Sequence, residues 1–159
     1  MDSTQYRDAV VENRRKHDFE VIDEYTKGFD PVWVTHDDDD ASVGDVAVFA
    51  TLVNRPNPGP ADITAAADEF REVLVDRVDE RRGSTTPLGY VTFAAADPDQ
   101  SVIDAARSYT VARRRTNVFP IVYDCEAETL HRHEIPRLKG RGIYRRQAED
   151  VERLFEVTE

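Results

Sequence analysis

Apolar residues recur at steps of three and four in several segments, the pattern of helices that bury one face. The clearest segment follows Gly59 and Pro60, and proline suits the first helical position because its missing N–H would have no partner there. Arg81, Arg82 and Gly83 favour an end at this point, since cations and glycine are typical of helix C-termini. The apolar stripe between these signals consists of Ile63, Ala66, Ala67, Phe70, Val73, Leu74 and Val78.

Three more helices are predicted. One begins with Asp97 as N-cap and Gln100 three residues later, and ends at the arginines 113–115. Another spans about residues 143–155, and a third, with the weakest stripe, about residues 4–17. The helix after Asp97 has the apolar face Val102, Ala105, Ala106, Tyr109 and Ala112. The face of the last helix consists of Tyr144, Gln147, Ala148, Val151, Leu154 and Phe155, and that of the N-terminal helix of Tyr6, Ala9, Val10 and Asn13.

Six runs rich in β-branched and aromatic residues predict strands. Residues 45–53 and 88–95 are continuous apolar runs, typical of central strands covered on both faces. The run 118–123 contains Pro120, which cannot donate a ladder hydrogen bond and therefore predicts an edge or a bulge. The others are residues 19–25, 31–36 and 129–134, the last of which pairs through a turn at residues 124–127.

The predicted order is helix, three strands, helix, strand, helix, two strands, helix. Three consecutive strands indicate an antiparallel meander, and a strand reached through a helix indicates a parallel crossover. We therefore predict an α+β fold, with a mixed, largely antiparallel sheet of five to six strands covered by three to four helices. Because no repeat, linker or break in composition divides the sequence, we expect one domain over residues 1–159.

The opening order of helix, three strands, helix and strand resembles the core of the PD-(D/E)XK nucleases. That family holds Mg²⁺ with an acid near the second strand and with Glu-x-Lys or Gln-x-Lys on the third. The third strand here reads Asp45-Val46-Ala47-Val48-Phe49-Ala50-Thr51, with no lysine and no second acid. The resemblance therefore implies an element order without nuclease activity, because a fold carries no function without its site.

The chain is strongly acidic, with 32 Asp and Glu against 21 Lys and Arg and a formal net charge of -11. Only three of its basic residues are lysines: Lys16, Lys27 and Lys139. An acidic, lysine-poor surface and the aspartate run at residues 37–40 suit a halophilic protein, whose carboxylates hold water and cations in concentrated KCl. An ordinary acidic protein from a GC-rich genome is the alternative, because codon bias also replaces lysine by arginine.

The sequence also bears on location. No stretch approaches the roughly 20 apolar residues of a membrane helix, and the first residues lack the basic and apolar regions of a secretory leader. The single Cys125 agrees with a reducing compartment. We expect a cytoplasmic protein with no membrane partner.

Candidate chemistry is sparse. No nucleophile elbow, Walker loop or Gly-x-Gly-x-x-Gly is present, so we assign no catalytic residue and no cofactor. A zinc site can be drawn from His131 and His133 with Cys125 or Asp124, but the ligand spacings of zinc sites are missing. We interpret both histidines as solvated residues of an edge strand and the aspartate run as a solvated loop. His17 and His36 stand too far apart in the sequence to be given a role.

One segment reverses the charge of the chain. Residues 107–146 contain four acidic residues against ten basic ones: Arg107, Arg113, Arg114, Arg115, Arg132, Arg137, Lys139, Arg141, Arg145 and Arg146. Within it, a glycine-containing turn leads into the last helix, whose N-terminus carries partial positive charge. We predict an anion-binding site at Arg137, Lys139, Gly140, Arg141, Gly142, Arg145 and Arg146.

Two kinds of negative partner fit this segment. The first is protein: acidic residues of the same chain, or of a second copy in a homodimer, make the segment a structural or homo-oligomeric interface. The second is a phosphate-bearing ligand, either nucleic acid or a nucleotide, with Phe119, Tyr123 and Tyr144 as stacking surfaces. We take the first as the main expectation and the second as the alternative.

Overall fold

The computed structural model describes residues 2–22, 29, 32–40, 44–53, 55, 57–80, 85–114, 116–136 and 141–156. For a few of these residues, Arg141 among them, it describes the backbone alone. The helices are α1 (Ser3–Lys16), α2 (Pro60–Glu80), α3 (Gln100–Ser108) and α4 (Arg141–Leu154). The strands are β1 (Glu20–Ile22), β2 (Val32–Asp40), β3 (Gly44–Val53), β4 (Thr86–Ala95), β5 (Ala112–Arg113), β6 (Thr116–Asp124) and β7 (Thr129–His131).

The strands form one mixed sheet, which confirms the predicted α+β class. Its order is β1-β2-β3-β4-β6-β5, and β7 also pairs with β6. The first three strands form the antiparallel meander, while β3–β4 and β4–β6 are parallel and are connected through α2 and α3. The sheet has seven strands instead of five or six, because the two-residue β5 forms where a helix was predicted.

Helices cover both faces of the sheet. Helices α1 and α4 pack on one face and α2 and α3 on the other, so two apolar clusters form. Along β3, Val46 and Val48 face the first cluster, whereas Ala47 and Phe49 face the second. This double cover explains the continuous apolar runs of the central strands.

Gly89 allows α2 to lie close to the sheet. A Cβ atom at this position would stand 3.0 Å from the side chains of Leu74 and Phe70. These two residues of α2 are fully buried against β4. A larger residue on the strand would require these two side chains to shift by a few tenths of an ångström, since such contacts are shorter than most in packed cores.

Helix α3 is shorter than predicted at both ends. Its N-cap is Asp99 rather than Asp97, and Tyr109 leaves the helix with an extended backbone at φ -61° and ψ 137°. The guanidinium of Arg71 in α2 binds the carbonyl oxygens of the residues that follow, Thr110 and Val111, both at 2.8 Å.

Pro120 lies on a strand with neighbours on both sides, but at Pro120 itself the outer side is unpaired among the described strands. It pairs with Val91 in the parallel register of β4 and β6. The N–H of Val118, two residues earlier, points away from β4 and donates to Val111 at 3.0 Å. On that outer side β5 pairs with residues 116–117 and β7 with residues 122–124, so the missing donor faces the gap between them.

Two candidate ligand sites along the fourth helix

The structure divides the predicted anion-binding residues. Arg137, Lys139 and Gly140 lie outside the described residues, and their role stays a prediction. Arg141 and Gly142 are the first residues of α4, so their backbone N–H groups belong to its positive end. Arg145 is exposed, whereas Arg146 is buried and belongs to a different site.

A cavity of about 450 Å³ opens beside the first turn of α4. Arg107, from the last turn of α3, lines it with an exposed side chain. The other lining residues are His133, Glu134, Pro136 and Tyr144. Pro136 directly precedes the segment 137–140, so the predicted Arg137 and Lys139 follow the cavity wall in the chain.

His133 is a buried wall residue with a defined proton position. It is 6% exposed, and its Nε2 lies 3.2 Å from the carbonyl oxygen of Tyr109. Since a carbonyl can only accept, Nε2 carries the proton. Burial lowers the pKa of His133, and the positive charge of Arg107 acts in the same direction, while the bond to Tyr109 opposes them. The imidazole is therefore neutral at pH 7.

This position corrects the sequence interpretation of the two histidines. His131 is the last residue of β7 and is half-buried, whereas His133 lies beyond the strand and is buried. The interpretation of His133 as a solvated residue of an edge strand is therefore wrong. Edge-on contacts of the His133 ring with Phe119 and of Tyr144 with Phe119 have centroid distances of 5.5 and 5.4 Å.

Gln147 of α4 fixes the backbone of His133. Its Oε1 accepts from the N–H of His133 at 3.1 Å, and its Nε2 donates to the carbonyl of His133 at 3.0 Å. The Gln147 side chain thus makes the two hydrogen bonds that a neighbouring strand would make, and it holds the backbone of His133 against α4. Gln147 itself is fully buried, which makes both bonds expensive to leave unmade.

Arg71 binds the chain segment that begins with Tyr109, a residue that is not among those lining the cavity. Besides Thr110 and Val111, its guanidinium donates to the carbonyl of Arg113 at 2.9 Å and to the hydroxyl of Thr116 at 2.9 Å. The residue is 2% exposed. Because this segment begins with the carbonyl that binds His133, Arg71 positions the imidazole from a distance.

Only one of the three predicted stacking residues lines the cavity. Phe119 is fully buried, and Tyr123 stacks on Tyr6 inside the core with ring centroids 3.8 Å apart. Tyr144 is half-buried at the cavity wall. The stacking role predicted for Phe119 and Tyr123 is therefore wrong.

Arg146 is directed into the first core cluster rather than toward Arg107. It is 4% exposed, and its Nε donates to both carboxylate oxygens of Asp150 at 3.0 and 2.9 Å. Its NH1 group pairs with Asp37 of β2. Asp37 is therefore a partner of α4 on a strand and not a residue of a solvated loop.

Asp150 is the centre of this buried network. Tyr90 of β4 donates to it at 2.6 Å, and Arg153 donates at 2.9 Å. Burial raises the pKa of Asp150, and Arg146, Tyr90 and Arg153 oppose that effect. Burial and the neighbouring carboxylate also raise the pKa of Tyr90 well above its usual value.

The network forms the floor of a second cavity, of about 230 Å³. We call it the α1–β2–α4 cleft, after the elements that surround it. The end of α1 contributes His17, Asp18 and Phe19, β2 contributes Thr35, His36 and Asp37, and α4 contributes Arg146, Asp150 and Arg153.

Sequence reasoning missed this cleft, although one signal was present. The dipeptide His-Asp occurs twice, as His17-Asp18 and as His36-Asp37. In the antiparallel register of β1 and β2, Glu20 pairs with Val34 and Val21 with Trp33, which brings the two dipeptides to the same end of the hairpin. Strand pairing had to be known before the repeat could be interpreted.

The described part of the chain contains no group of three or more His, Cys, Asp or Glu side chains arranged to hold a metal ion. It also contains no helix long and apolar enough to cross a membrane. Comparison of the chain with protein-family models, with curated proteins and with solved structures gives no match.

Proposed function

We propose that this chain is a binding domain for a small phosphate-bearing ligand in the cavity beside the start of α4. The observation that supports it is the position of Arg107, which lines a cavity of about 450 Å³ together with the first-turn residue Tyr144. Guanidinium groups and helix N-termini both bind anions in proteins, and here an arginine and a residue of the first turn of α4 line the same cavity.

The size of the cavity favours a small molecule over a nucleic acid. Sites for small ligands have volumes of about 300–1,000 Å³, and this cavity falls within that range. Binding of a nucleic acid requires many exposed cations on the protein, which contact the phosphates of the nucleic-acid backbone. Within the basic segment Arg146 is instead buried and paired with Asp37 and Asp150, and the exposed Arg114 is paired with Glu72.

Those same pairs support a structural role for part of the basic segment. Arg114 connects β5 to α2, and Arg146 connects α4 to β2. We propose that these two arginines serve the fold and that the ligand uses Arg107 and the start of α4. Self-association and adaptation to high salt are further proposals. Molar-mass measurements in 0.2 and 2 M KCl test self-association, because they separate a monomer from a dimer.

A titration panel tests the proposed function. Inorganic phosphate, ribose 5-phosphate, AMP and a short oligonucleotide are each titrated into the protein by calorimetry. We expect saturable binding of the small phosphates and at least a tenfold weaker affinity in Arg107→Ala. Arg113→Ala is the matched control, because that arginine is exposed in the same segment but does not line the cavity.

Three results would overturn the proposal. They are the absence of saturable binding for all small phosphates, an equal loss of affinity in the two arginine variants, and binding of the oligonucleotide alone. The last would favour a nucleic-acid surface instead of a cavity.

A further inference from the structure

The α1–β2–α4 cleft carries its own inference, which does not depend on the proposed phosphate site. Its two guanidinium groups, Arg146 and Arg153, are directed at the carboxylates of Asp150 and Asp37. The third carboxylate that lines the cleft, that of Asp18, is exposed. Among the described residues we find no hydrogen bond or ion pair to it. Among the described side chains, the carboxylate of Asp18 is therefore the one that lines the cleft without a cationic partner.

Asp18 stands where the fold itself would favour glycine. It follows the last turn of α1 with φ 60°, in the left-handed region, and the N–H of Phe19 closes the turn on the carbonyl of Arg14 at 3.2 Å. Glycine adopts this conformation with least strain. A carboxylate beyond the C-terminus of a helix is also disfavoured by the helix dipole. Aspartate is one of the few non-glycine residues that adopt the left-handed region, so the backbone tolerates this carboxylate, whereas the helix dipole opposes it.

Several groups near Asp18 can accept a hydrogen bond: His17 and His36 each bring an imidazole ring, and Thr35 brings a hydroxyl oxygen. A primary ammonium group has three donors and one positive charge, so a carboxylate with hydrogen-bond acceptors beside it matches it. Phe19 supplies an apolar wall on which the methylene groups of an amine can lie.

We propose that the α1–β2–α4 cleft binds a small organic cation through a primary ammonium group, with Asp18 as its charge partner. The buried network below holds the cleft in shape, because Asp150 fixes both arginines of the floor. The volume of about 230 Å³ suits a short alkylamine. A lysine side chain of another protein carries the same group and is treated as an outcome of the test.

The test follows backbone amide shifts by NMR while n-butylammonium, putrescine or tetramethylammonium is added to the intact protein at constant ionic strength. Tetramethylammonium has the charge but no N–H donor, so it separates a hydrogen-bonded site from general attraction. We expect saturable shifts around residues 17–19 and 35–37 with n-butylammonium and putrescine, and none with tetramethylammonium. Equal shifts with all three cations, or no saturation with any of them, would overturn the proposal.

Two glycine variants separate function from stability. Asp18→Gly relieves the left-handed backbone, so we expect a higher Tm and at least a tenfold weaker affinity for n-butylammonium. Glu128→Gly is the control, because Glu128 also has a positive φ, 54°, but lies in the turn before β7. It should leave amine binding unchanged. Unchanged binding in Asp18→Gly, or an equal loss in both variants, contradicts the assignment.

Asp18→Asn distinguishes charge from shape. The amide keeps the size of the side chain and tolerates the left-handed region, but it removes the negative charge. We expect the affinity for n-butylammonium to fall as far as in Asp18→Gly. If the small amines do not bind and a lysine-containing peptide does, the small-molecule proposal is wrong and a protein partner takes its place.

Discussion

Tyr90 donates a 2.6 Å hydrogen bond to the buried carboxylate of Asp150 and so joins the central strand β4 to α4. The same carboxylate holds Arg146, which reaches Asp37 on β2. The two α4 side chains together connect the helix to two strands. Removing the carboxylate of Asp150 takes from Arg146, which is 4% exposed, the partner that binds its Nε.

Asp150→Ala is expected to destabilise the protein by about 3–5 kcal/mol, the usual effect of breaking a buried ion pair on one side. Tyr90→Phe removes one hydrogen bond to a charged group and should cost about 1.5–3 kcal/mol. Urea denaturation measures both. Asp104→Ala, on the exposed face of α3, is the control and should change the free energy of unfolding by less than about 0.5 kcal/mol. Equal values for Asp150→Ala and Asp104→Ala would contradict the role of the network.

His133 makes stability depend on pH. Burial lowers the pKa of His133 in the folded state below its usual value, so the unfolded chain takes up the proton first as pH falls. This contribution to the free energy of unfolding is present above the ordinary imidazole pKa and declines as pH falls from there toward the folded pKa. Urea denaturation between pH 5 and 8 should show a steeper loss toward acid in the wild type than in His133→Gln.

The Gln variant is chosen because its amide N–H takes the place of Nε2–H toward Tyr109 but cannot titrate. A direct NMR titration of the imidazole resonances should show the same direction, with His133 protonated at lower pH than a free imidazole. Parallel pH profiles of the wild type and His133→Gln would show that the buried ring does not contribute.

Arg71 binds the segment that begins with Tyr109, whose carbonyl oxygen lies beside Nε2 of His133. Arg71→Lys keeps the charge but loses the planar fork that reaches several carbonyl groups at once. We expect a loss of about 2–5 kcal/mol in the free energy of unfolding, since buried carbonyl groups lose their donors. We also expect weaker binding of ribose 5-phosphate, although Arg71 does not line the cavity. Arg77→Lys on the same helix is the control and should leave ligand affinity at the wild-type value.

The dependence of stability on salt tests the adaptation inferred from the charge of -11. Repulsion among carboxylates is screened over about 3 Å at 1 M salt, against about 10 Å at 0.1 M. We expect the Tm to rise steadily between 0.2 and 3 M KCl. A Tm that peaks below 0.5 M KCl would favour an ordinary acidic protein with arginine in place of lysine.

The sequence predicted those elements whose signals are local. Continuous apolar runs located β3 and β4, and the stripe behind Pro60 located α2. The N-terminal helix, with the weakest stripe, forms because Asp2 and Gln5 build a capping box, in which the N–H of Gln5 donates to Asp2 at 2.8 Å and the N–H of Asp2 to Gln5 at 2.9 Å. The spacing of Asp2 and Gln5 is a local signal in the sequence, but the prediction of this helix does not use it.

The predictions are wrong where contacts between residues distant in the sequence determine the structure. Where α3 was predicted to continue, Arg71 binds the carbonyls of residues 39 and 40 positions further along the chain. Arg146 and Asp37 lie 109 positions apart, so each was interpreted from its neighbours alone, as an anion ligand and as part of a solvated loop. The cavity beside α4 likewise requires Arg107 and Tyr144 to meet, which only the tertiary structure establishes.

Binding of a phosphate ester beside the first turn of α4 is tested by an amide chemical-shift map, recorded while ribose 5-phosphate is added to the protein. We predict that the largest saturable shifts fall together on Arg107, His133, Gly142 and Tyr144, with one dissociation constant for all four. Shifts that are absent, that do not saturate, or that spread over the exposed arginines without favouring these residues would contradict the account.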